Sequence, residues 1–218
     1  MPARRSVLRM ATLLKSAAIL LSLSWAAEAT VIFSNFGPGD TYDFTTGYTL
    51  GGQPGYFVPG EAFTNGPSGA TLDSIEVAAG IVAGQNSLNL QLMSDAGGAP
   101  GSVIETLTVS DPLGPFGTFG PPLLASSVLH PLLSPLTQYW VIGVVPDDGT
   151  TWSAWYYNSI GEAGPHATLN MGDWEINPAT QGTFRVNATL LNPIPEPGSL
   201  LLLGGGLVAT ALRVRRLR

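Results

Sequence analysis

Carboxylates are the only plentiful reactive side chains in the central part of this sequence. Paired carboxylates can hydrolyse glycosidic bonds when about 5–9 Å separates them. Successive strand residues point to opposite faces of a sheet, so closeness in sequence is weak evidence for such a pair. We therefore interpret three closely spaced pairs as solvated turn residues. These pairs are Asp40 and Asp43, Asp147 and Asp148, and Asp173 and Glu175.

Most other catalytic chemistries lack the residues they need. Cysteine is absent, and the only lysine, Lys15, lies near the N-terminus, which excludes thiol and Schiff-base catalysis in the central part. The only histidines, His130 and His166, each adjoin a proline, so we expect surface loops and no metal ligands there. Asp147 and Asp148 precede a glycine but lack the spacing of an EF-hand calcium loop. We predict no catalytic residue, no metal site and no cofactor, and therefore no enzyme.

An aromatic segment is the more suggestive feature, with Trp152, Trp155, Tyr156 and Tyr157 close together. Flat aromatic rings can stack on sugar faces and give amphipathic contact area at a low entropic cost. Alternation along a strand predicts Trp152 and Tyr156 on one face and Trp155 and Tyr157 on the other. The favoured interpretation is that these rings fill the core. The alternative is a carbohydrate-binding surface made by the pair that faces outward.

Strands must position these side chains. Leu88, Leu90 and Leu92 alternate with polar residues, which predicts a strand with one buried face. Residues 139–145 are apolar at every position and predict a central strand covered on both faces. Alternation recurs at Phe184, Val186, Ala188 and Leu190, at Ile75, Val77 and Ala79, and at Val103, Leu107 and Val109, where Glu105 interrupts it.

The remaining central residues fit the same class. Further strands are predicted at residues 30–36 and 55–63, the second broken by Pro59-Gly60, and residues 114–122 are predicted as a long loop. Turn residues separate the apolar runs, and no helical period occurs between the two ends. We predict an all-β fold, a jelly-roll-like β-sandwich.

Charge is distributed unevenly along the chain. Residues 30–192 hold thirteen Asp and Glu but only one cation, Arg185, an excess of twelve negative charges. Such a domain cannot bind nucleic acid by neutralising phosphates, and anionic lipid surfaces should repel it. We interpret the acidic excess as a solubility feature of a protein outside the cell.

The N-terminus has the three parts of a secretory signal peptide. After a basic head, an apolar run occupies residues 17–26, and Ala27 and Ala29 form a small-residue cleavage site. We predict that residues 1–29 form a signal helix that signal peptidase removes after Ala29. The paired arginines also resemble a twin-arginine export signal, although the general secretion route is favoured. The basic head consists of Arg4, Arg5, Arg9 and Lys15.

The C-terminus combines three further parts. Two prolines bracket Glu196 and keep this segment extended, because each lacks an N–H and fixes φ. Residues 199–212 are uncharged and would form a helix of only about 21 Å. That is short for a permanent span across ~30 Å of hydrocarbon. Four arginines, which should stay cytoplasmic, close the chain: Arg213, Arg215, Arg216 and Arg218.

Together these parts resemble the tail of the PEP-CTERM family of exosortase substrates. The resemblance implies recognition at Pro195, Glu196 and Pro197, an inner-membrane precursor, and release to the cell surface or the exopolysaccharide matrix. The alternative is an ordinary single-pass anchor that is never cleaved. We therefore predict one β-sandwich domain at residues 30–192 and a sorting segment with a short transmembrane helix at residues 193–218.

The central domain shows a second resemblance. A strand containing Phe33 and Phe36 comes first, an alternating leucine strand then runs into a Gly-Ala-Pro-Gly turn at residues 98–101, and residues 136–140 read Leu-Thr-Gln-Tyr-Trp. This series is similar to the choice-of-anchor domains of bacterial surface proteins. The resemblance implies a sandwich without a catalytic role, and it does not supply a function.

These observations predict an exported structural or interaction protein of the cell surface or exopolysaccharide matrix. The expected partners are signal peptidase, an exosortase-type enzyme, the inner membrane before processing, and exopolysaccharide after it. Two alternatives remain. The first is a carbohydrate-binding module that uses the aromatic segment, and the second is a glycan-acting hydrolase that uses paired carboxylates.

Overall fold

A computed structural model describes residues 29–52, 56–146, 149–170 and 172–191 of the chain. These residues form strands, turns and bends and no helix, which confirms the all-β class. The strands, in chain order, are β1 (Ala29–Ser34), β2 (Tyr42–Gly51), β3 (Pro59–Thr64), β4 (Ala70–Val77), β5 (Ala79–Ala83), β6 (Asn89–Asp95), β7 (Pro100–Thr108), β8 (Gly114–Pro115), β9 (Leu123–Ser126), β10 (Leu132–Leu133), β11 (Gln138–Val144), β12 (Trp152–Asn158), β13 (Ala163–Asn170), β14 (Asp173–Thr180) and β15 (Phe184–Leu190).

The strands assemble into three sheets. The five-stranded sheet has the order β1-β15-β4-β10, with β9 also paired to β4. The six-stranded sheet has the order β14-β13-β3-β11-β6-β7, and the four-stranded sheet has the order β2-β12-β5-β8. The pairings of these strands are antiparallel except that of β5 with β8.

One apolar core receives side chains from all three sheets. Leu90 and Leu92 of β6 are fully buried in it, and Leu88 joins them from the residues before that strand. Phe184 and Val186 of β15 lie in the same cluster, so both alternating patterns are confirmed. Burial of this shared apolar surface is the main favourable contribution to holding the sheets together.

Strand β11 lies in the middle of the six-stranded sheet, between β3 and β6. Its residues Tyr139 and Val141 face the main core, and Trp140 and Ile142 face a second apolar cluster on the other side. The prediction of a central strand with two covered faces is therefore confirmed. The indole N–H of Trp140 donates to Asp95 Oδ1 at 2.9 Å, which satisfies its one polar group.

Two details of the strand prediction are wrong. Pro59 begins β3 instead of breaking a strand, a position that proline tolerates because its nitrogen need not donate there. In β7, Glu105 is 4% exposed and Val103 is 49% exposed, the reverse of what alternation predicts. The pairing of β7 with β6 shifts register between these two residues, and such a bulge turns side chains to the opposite face.

Buried Glu105 fastens the segment that follows β9. Its Oε1 accepts hydrogen bonds from the backbone N–H groups of Val128 at 2.7 Å and Leu129 at 2.9 Å. Its Oε2 accepts a hydrogen bond from Ser127 Oγ at 2.7 Å. Burial by itself would raise the pKa of Glu105, but these hydrogen bonds outweigh it and hold the pKa below its ordinary value.

Gln181, Gly182 and Thr183 form a buried joint between the sheets, and we call these three residues the 181–183 joint. Gln181 Nε2 donates to the carbonyl of Ala62 in β3 at 2.8 Å. The Gln181 carbonyl accepts a hydrogen bond from Asn158 Nδ2 of β12 at 2.8 Å. The joint leads directly into β15, so it connects all three sheets.

The rest of the 181–183 joint is held by equally buried groups. The N–H of Thr183 donates to the Tyr156 carbonyl at 2.7 Å, and the Trp155 indole N–H donates to the Thr183 carbonyl at 2.9 Å. Asn35 Nδ2 donates to the Gly182 carbonyl at 2.9 Å. An unpaired buried backbone group destabilises a fold by about 1–3 kcal/mol, so these partners fix where β15 begins.

Parts of the predicted organisation lie outside the described residues. They include Ala27, the signal helix and the transmembrane segment, whereas Ala29 is described and begins β1. None of the described residues belongs to a helix with the length and apolar character needed to cross a membrane. The jelly-roll connectivity stays a prediction.

Truncation of a core leucine should destabilise the protein strongly. Leu90 is fully buried, so Leu90→Ala should lower the free energy of unfolding by about 2–5 kcal/mol. Urea unfolding followed by tryptophan fluorescence measures this change. Val128 is 82% exposed, and the control Val128→Ala should change stability by less than about 0.5 kcal/mol. Equal losses in the free energy of unfolding of the two variants would contradict the placement of Leu90 in the core.

Candidate functional site

The aromatic segment on β12 is divided between core and surface. Trp155 and Tyr156 are each 1% exposed, Trp152 is 46% exposed, and Tyr157 is half-buried. Trp155 packs in the main core and Tyr156 in a third cluster on the opposite face of the strand. The favoured interpretation, that the rings fill the core, is therefore confirmed for Trp155 and Tyr156, and these two rings are not available as glycan contacts for the alternative.

Trp155 and Tyr156 lie on opposite faces of β12, as strand alternation predicts. The expectation of one buried pair and one outward pair is wrong. Each predicted pair contains one buried ring and one ring that is exposed or half-buried. Burial of each ring therefore depends on which segments pack over it, and alternation along a single strand does not predict this. Trp152 and Tyr157 stay candidates, but the segment offers no continuous aromatic strip.

A different set of rings lies on the outer face of the four-stranded sheet. Tyr42 of β2 stacks on Tyr156 with 5.4 Å between centroids and 17° between planes. Phe119 stacks on Tyr42 at 5.1 Å, and Phe116 stacks on Tyr156 at 5.7 Å. These four rings form a series that begins at Phe119 and ends at Phe116. The two phenylalanines come from the predicted loop at residues 114–122, which the structure confirms apart from the two-residue strand β8.

Two tyrosine hydroxyls fasten this loop to the sheet. Tyr156 Oη accepts a hydrogen bond from the N–H of Gly117 at 3.0 Å. Tyr42 Oη accepts from the N–H of Gly120 at 2.8 Å and donates to the Gly120 carbonyl at 3.0 Å. Gly80 makes the approach of Tyr156 possible, because a Cβ at that position would overlap the tyrosine hydroxyl. The loop therefore has a defined position over the sheet.

A pocket of about 300 Å³ opens beside this loop. The residues that line it include Phe119, Tyr42, Thr118 and Asp111. Phe119 is 55% exposed, and Asp111 is exposed as well. Within the described part of the chain, the Asp111 carboxylate makes no hydrogen bond or ion pair. The pocket thus combines one aromatic face with one available acceptor.

A second group of polar residues, which includes His166, is buried. The prediction that His166 lies in a surface loop is therefore wrong. This residue lies in strand β13 and is 6% exposed, whereas His130 is exposed as predicted. His166 Nδ1 lies 3.0 Å from Glu61 Oε1, and the ring of Tyr48 stacks on the imidazole at 3.7 Å. Glu61 is 105 positions away in sequence, so spacing gave no sign of this pair.

Glu61 is fully buried in the six-stranded sheet. Its Oε1 also accepts a hydrogen bond from the N–H of Gly182 at 2.9 Å, which ties β3 to the 181–183 joint. Burial raises the pKa of Glu61 to about 6, although contacts with His166 and Gly182 oppose the rise. Burial first, and the nearby Glu61 second, also raise the pKa of Tyr48. Glu61 Oε2 has no hydrogen-bond partner, so the carboxylate is destabilised in its charged form.

The Glu61–His166 pair extends to a hydroxyl, since His166 Nε2 lies 3.0 Å from Thr168 Oγ1. Carboxylate, imidazole and hydroxyl in this order also occur in nucleophilic relays. Such a relay needs free N–H groups to stabilise an oxyanion. Thr168 lies inside β13 and pairs with strands on both sides, and the next amide, that of Leu169, donates to the Val58 carbonyl. We interpret the series as structural.

The carboxylate pairs of the sequence have separate structural roles where they are described. Asp40 forms an ion pair with Arg185, which also pairs with Glu76 at 3.0 Å. Asp43 instead accepts hydrogen bonds from the backbone N–H and hydroxyl of Thr45, at 2.9 and 2.6 Å. Asp40 and Asp43 therefore interact with different partners and do not act as a pair.

Only one of the other two pairs is described. Asp173 and Glu175 are both exposed on the edge strand β14, and Asp147 and Asp148 lie outside the described residues. Within the described ranges, no group of three or more His, Cys, Asp or Glu side chains is placed to hold a metal ion.

The comparison with protein families finds a match in the C-terminal tail, which follows this all-β domain in the sequence. The PEP-CTERM protein-sorting motif matches residues 193–216, which confirms the resemblance based on Pro195, Glu196 and Pro197. The motif supports an exported, exosortase-sorted protein and suggests a membrane-anchored precursor. No curated protein matches the chain. The resemblance of the central domain to choice-of-anchor domains stays a prediction.

The sequence did not reveal two features of this site: the buried Glu61 and the stacking of Phe116 and Phe119 on the sheet. Glu61 is a single acid inside an otherwise apolar or small run, Pro-Gly-Glu-Ala-Phe, and such an acid is a signal of a buried carboxylate. Phe116 and Phe119 occur in a Gly- and Pro-rich segment that we interpreted only as a loop. Their spacing of three residues does not indicate that tyrosines from two distant strands lie beneath them.

Removal of the Glu61 charge should change how stability depends on pH. The pKa of Glu61 is raised on folding, so its contribution to stability is fully present below about pH 4.5 and is lost as pH rises through about 6. The stability difference between wild type and Glu61→Gln should therefore shift by about 2 kcal/mol between pH 4 and pH 7, to the disadvantage of wild type. Urea unfolding at several pH values measures this difference.

Thr168→Val is the matched control for this experiment, because it leaves the carboxylate and the imidazole in place. Its stability difference from Glu61→Gln should show the same pH dependence as that of wild type. A pH-independent difference between wild type and Glu61→Gln would mean that Glu61 is not destabilised by burial.

Loss of one tyrosine hydroxyl should loosen the loop. Tyr156→Phe removes the acceptor for the Gly117 N–H, a hydrogen bond worth about 1 kcal/mol, so amide exchange at residues 114–122 should accelerate about fivefold. Hydrogen–deuterium exchange measures the rate. Tyr157→Phe is the matched control in the same strand, and it should leave exchange in the loop unchanged. Unchanged exchange in Tyr156→Phe would show that the hydroxyl does not hold the loop.

Proposed function

We propose that this protein is a non-enzymatic component of the cell surface or the exopolysaccharide matrix. It is made as a precursor with a signal peptide, held in the inner membrane by its C-terminal segment, and processed at Pro195-Glu196-Pro197. The sorting motif at residues 193–216 is the observation that carries this proposal.

The physical character of the tail supports processing rather than permanent anchoring. The proline bracket keeps the recognition segment out of a helix and open to an enzyme. The 14 uncharged residues from 199 to 212 reach about 21 Å as a helix, less than the ~30 Å of a bilayer core. The arginines at the end of the chain hold it on the cytoplasmic side until it is cut.

The arrangement of the two chain ends fits processing at both. Strands β1 and β15 pair antiparallel, and Ala29 lies opposite Thr189 in that pairing. The segments that signal peptidase and the sorting enzyme cut therefore leave the domain at the same end of one sheet.

A non-enzymatic role is supported by how the reactive side chains are used. Asp40 and Asp43 are engaged with different partners, which weakens the hydrolase alternative. The Glu61–His166–Thr168 series lies within a paired sheet. The acidic excess of the domain suits a soluble protein among surface polymers. Trp155 and Tyr156 are buried, so they cannot serve as glycan contacts in the carbohydrate-binding alternative.

Intact-mass analysis of protein recovered from the cell surface tests the proposal. We expect the mature protein to begin at Thr30 and to end at or near Pro197. Replacement of all three residues Pro195, Glu196 and Pro197 by alanine should keep residues 198–218 attached and retain the protein in the inner membrane. Pro193→Ala, two residues before the triplet, serves as a control that should still be processed.

Two results would contradict this proposal. Surface protein that still carries residues 198–218 would show a permanent anchor instead of processing. Wild-type protein found soluble in the cytoplasm would contradict export altogether.

A further inference from the structure

The loop over the four-stranded sheet presents one aromatic ring to solvent. Phe119 stacks on Tyr42 with 26° between the ring planes, so one face of Phe119 is covered. The residue nevertheless keeps 55% of its surface exposed, and it lines the pocket of about 300 Å³. A ring that is covered on one side and open on the other is a platform for a flat, weakly apolar surface. The faces of a sugar ring have this character.

A polar group stands beside this platform. Asp111 lines the same pocket, is exposed, and has no hydrogen bond or ion pair among the described residues. A carboxylate in this state can accept hydrogen bonds from neighbouring hydroxyl groups of a ligand, and charge makes such bonds stronger than neutral ones. An apolar face combined with a few placed polar groups is typical of small-ligand pockets, and the volume lies at the lower end of their range.

The platform is held in place before any ligand arrives. The loop is fixed by hydrogen bonds from the N–H groups of Gly117 and Gly120 to two tyrosine hydroxyls of the sheet. Pro121 and Pro122, which follow Phe119 and Gly120, restrict the backbone further. A contact surface that is already ordered loses little conformational entropy on binding, which favours affinity.

The negative charge of the domain excludes acidic polymers as ligands of this pocket. The domain carries thirteen acidic residues and one cation, so a polyanion would be repelled as it approaches. The pocket itself contributes a carboxylate, Asp111, and its lining contains no cation. A polymer rich in uronic acids or sulfate therefore does not fit this site. A neutral polysaccharide offers hydroxyl donors to Asp111 and ring faces to Phe119 without charge repulsion.

We propose that the pocket formed by Phe119 and Asp111 binds one sugar unit of a neutral polysaccharide. The ring of Phe119 stacks on the sugar face, and the Asp111 carboxylate accepts hydrogen bonds from its hydroxyl groups. The proposal rests on the proposed function, because it gives a surface-exposed matrix protein a direct contact with its polymer. It places that contact in the loop at residues 114–122 and not in the segment at residues 152–157.

Affinity gel electrophoresis of the full-length protein in mild detergent tests the site. Native gels are cast with a neutral β-glucan, galactomannan or starch, or with polygalacturonate as the acidic comparison. Retardation by at least one neutral polymer and none by polygalacturonate is the expected result. Phe119→Ala should weaken that retardation by about tenfold in apparent Kd, and Asp111→Asn should weaken it less.

Trp152→Ala is the matched control, because Trp152 is an exposed aromatic residue on the same sheet but outside the pocket. It should bind like wild type. The free energy of unfolding of Phe119→Ala, measured in urea, should stay close to that of wild type, so that lost binding is not lost folding.

Three results would overturn the proposal: no retardation by any neutral polymer, retardation that survives Phe119→Ala, or retardation that only Trp152→Ala removes. None of these three results would contradict the proposed export and processing, which are tested separately by intact-mass analysis.

Discussion

The fold depends on the hydrogen bonding of the buried 181–183 joint, where the three sheets meet. This joint is buried, so its polar groups need protein partners, and strands of the six-stranded and four-stranded sheets supply them to Gln181 and to the Thr183 main chain. The Thr183 hydroxyl has no partner among the described residues. Glu61 adds a carboxylate to the same place through the Gly182 N–H. A buried acid with a raised pKa is unfavourable by itself, and the contacts of Glu61 with His166 and the Gly182 N–H offset part of that cost.

That arrangement decides which aromatic residues are available for contacts. The Trp155 indole N–H donates to the Thr183 carbonyl. The Tyr156 backbone carbonyl accepts a hydrogen bond from the Thr183 N–H, and its hydroxyl accepts one from the Gly117 N–H of the loop. Both rings are therefore committed to the interior. The rings left at the surface belong to the loop itself, where Phe119 is supported from below by Tyr42. The same packing that stabilises the sheet thus creates an ordered aromatic platform outside it.

The sorting motif and the domain occupy separate parts of the sequence. The motif matches residues 193–216, where the Pro-Glu-Pro triplet, an uncharged stretch and arginines follow one another. The pairing of β1 with β15 places Ala29 opposite Thr189, so these ends of the first and last strands lie side by side. Under the proposed function, contacts with a matrix polymer involve other parts of the domain surface, including the loop at residues 114–122.

The sequence by itself determined the features that depend on neighbouring residues. These are the sorting motif, the alternating leucines of β6, the fully apolar β11 and the all-β class, because periodicity and turn chemistry act over a few residues. Only the tertiary structure decided that Glu61 meets His166, that Val103 faces outward, and that Trp155 is buried while Phe119 is open. Those outcomes depend on bulges and on contacts between strands far apart in the chain, which no local pattern encodes.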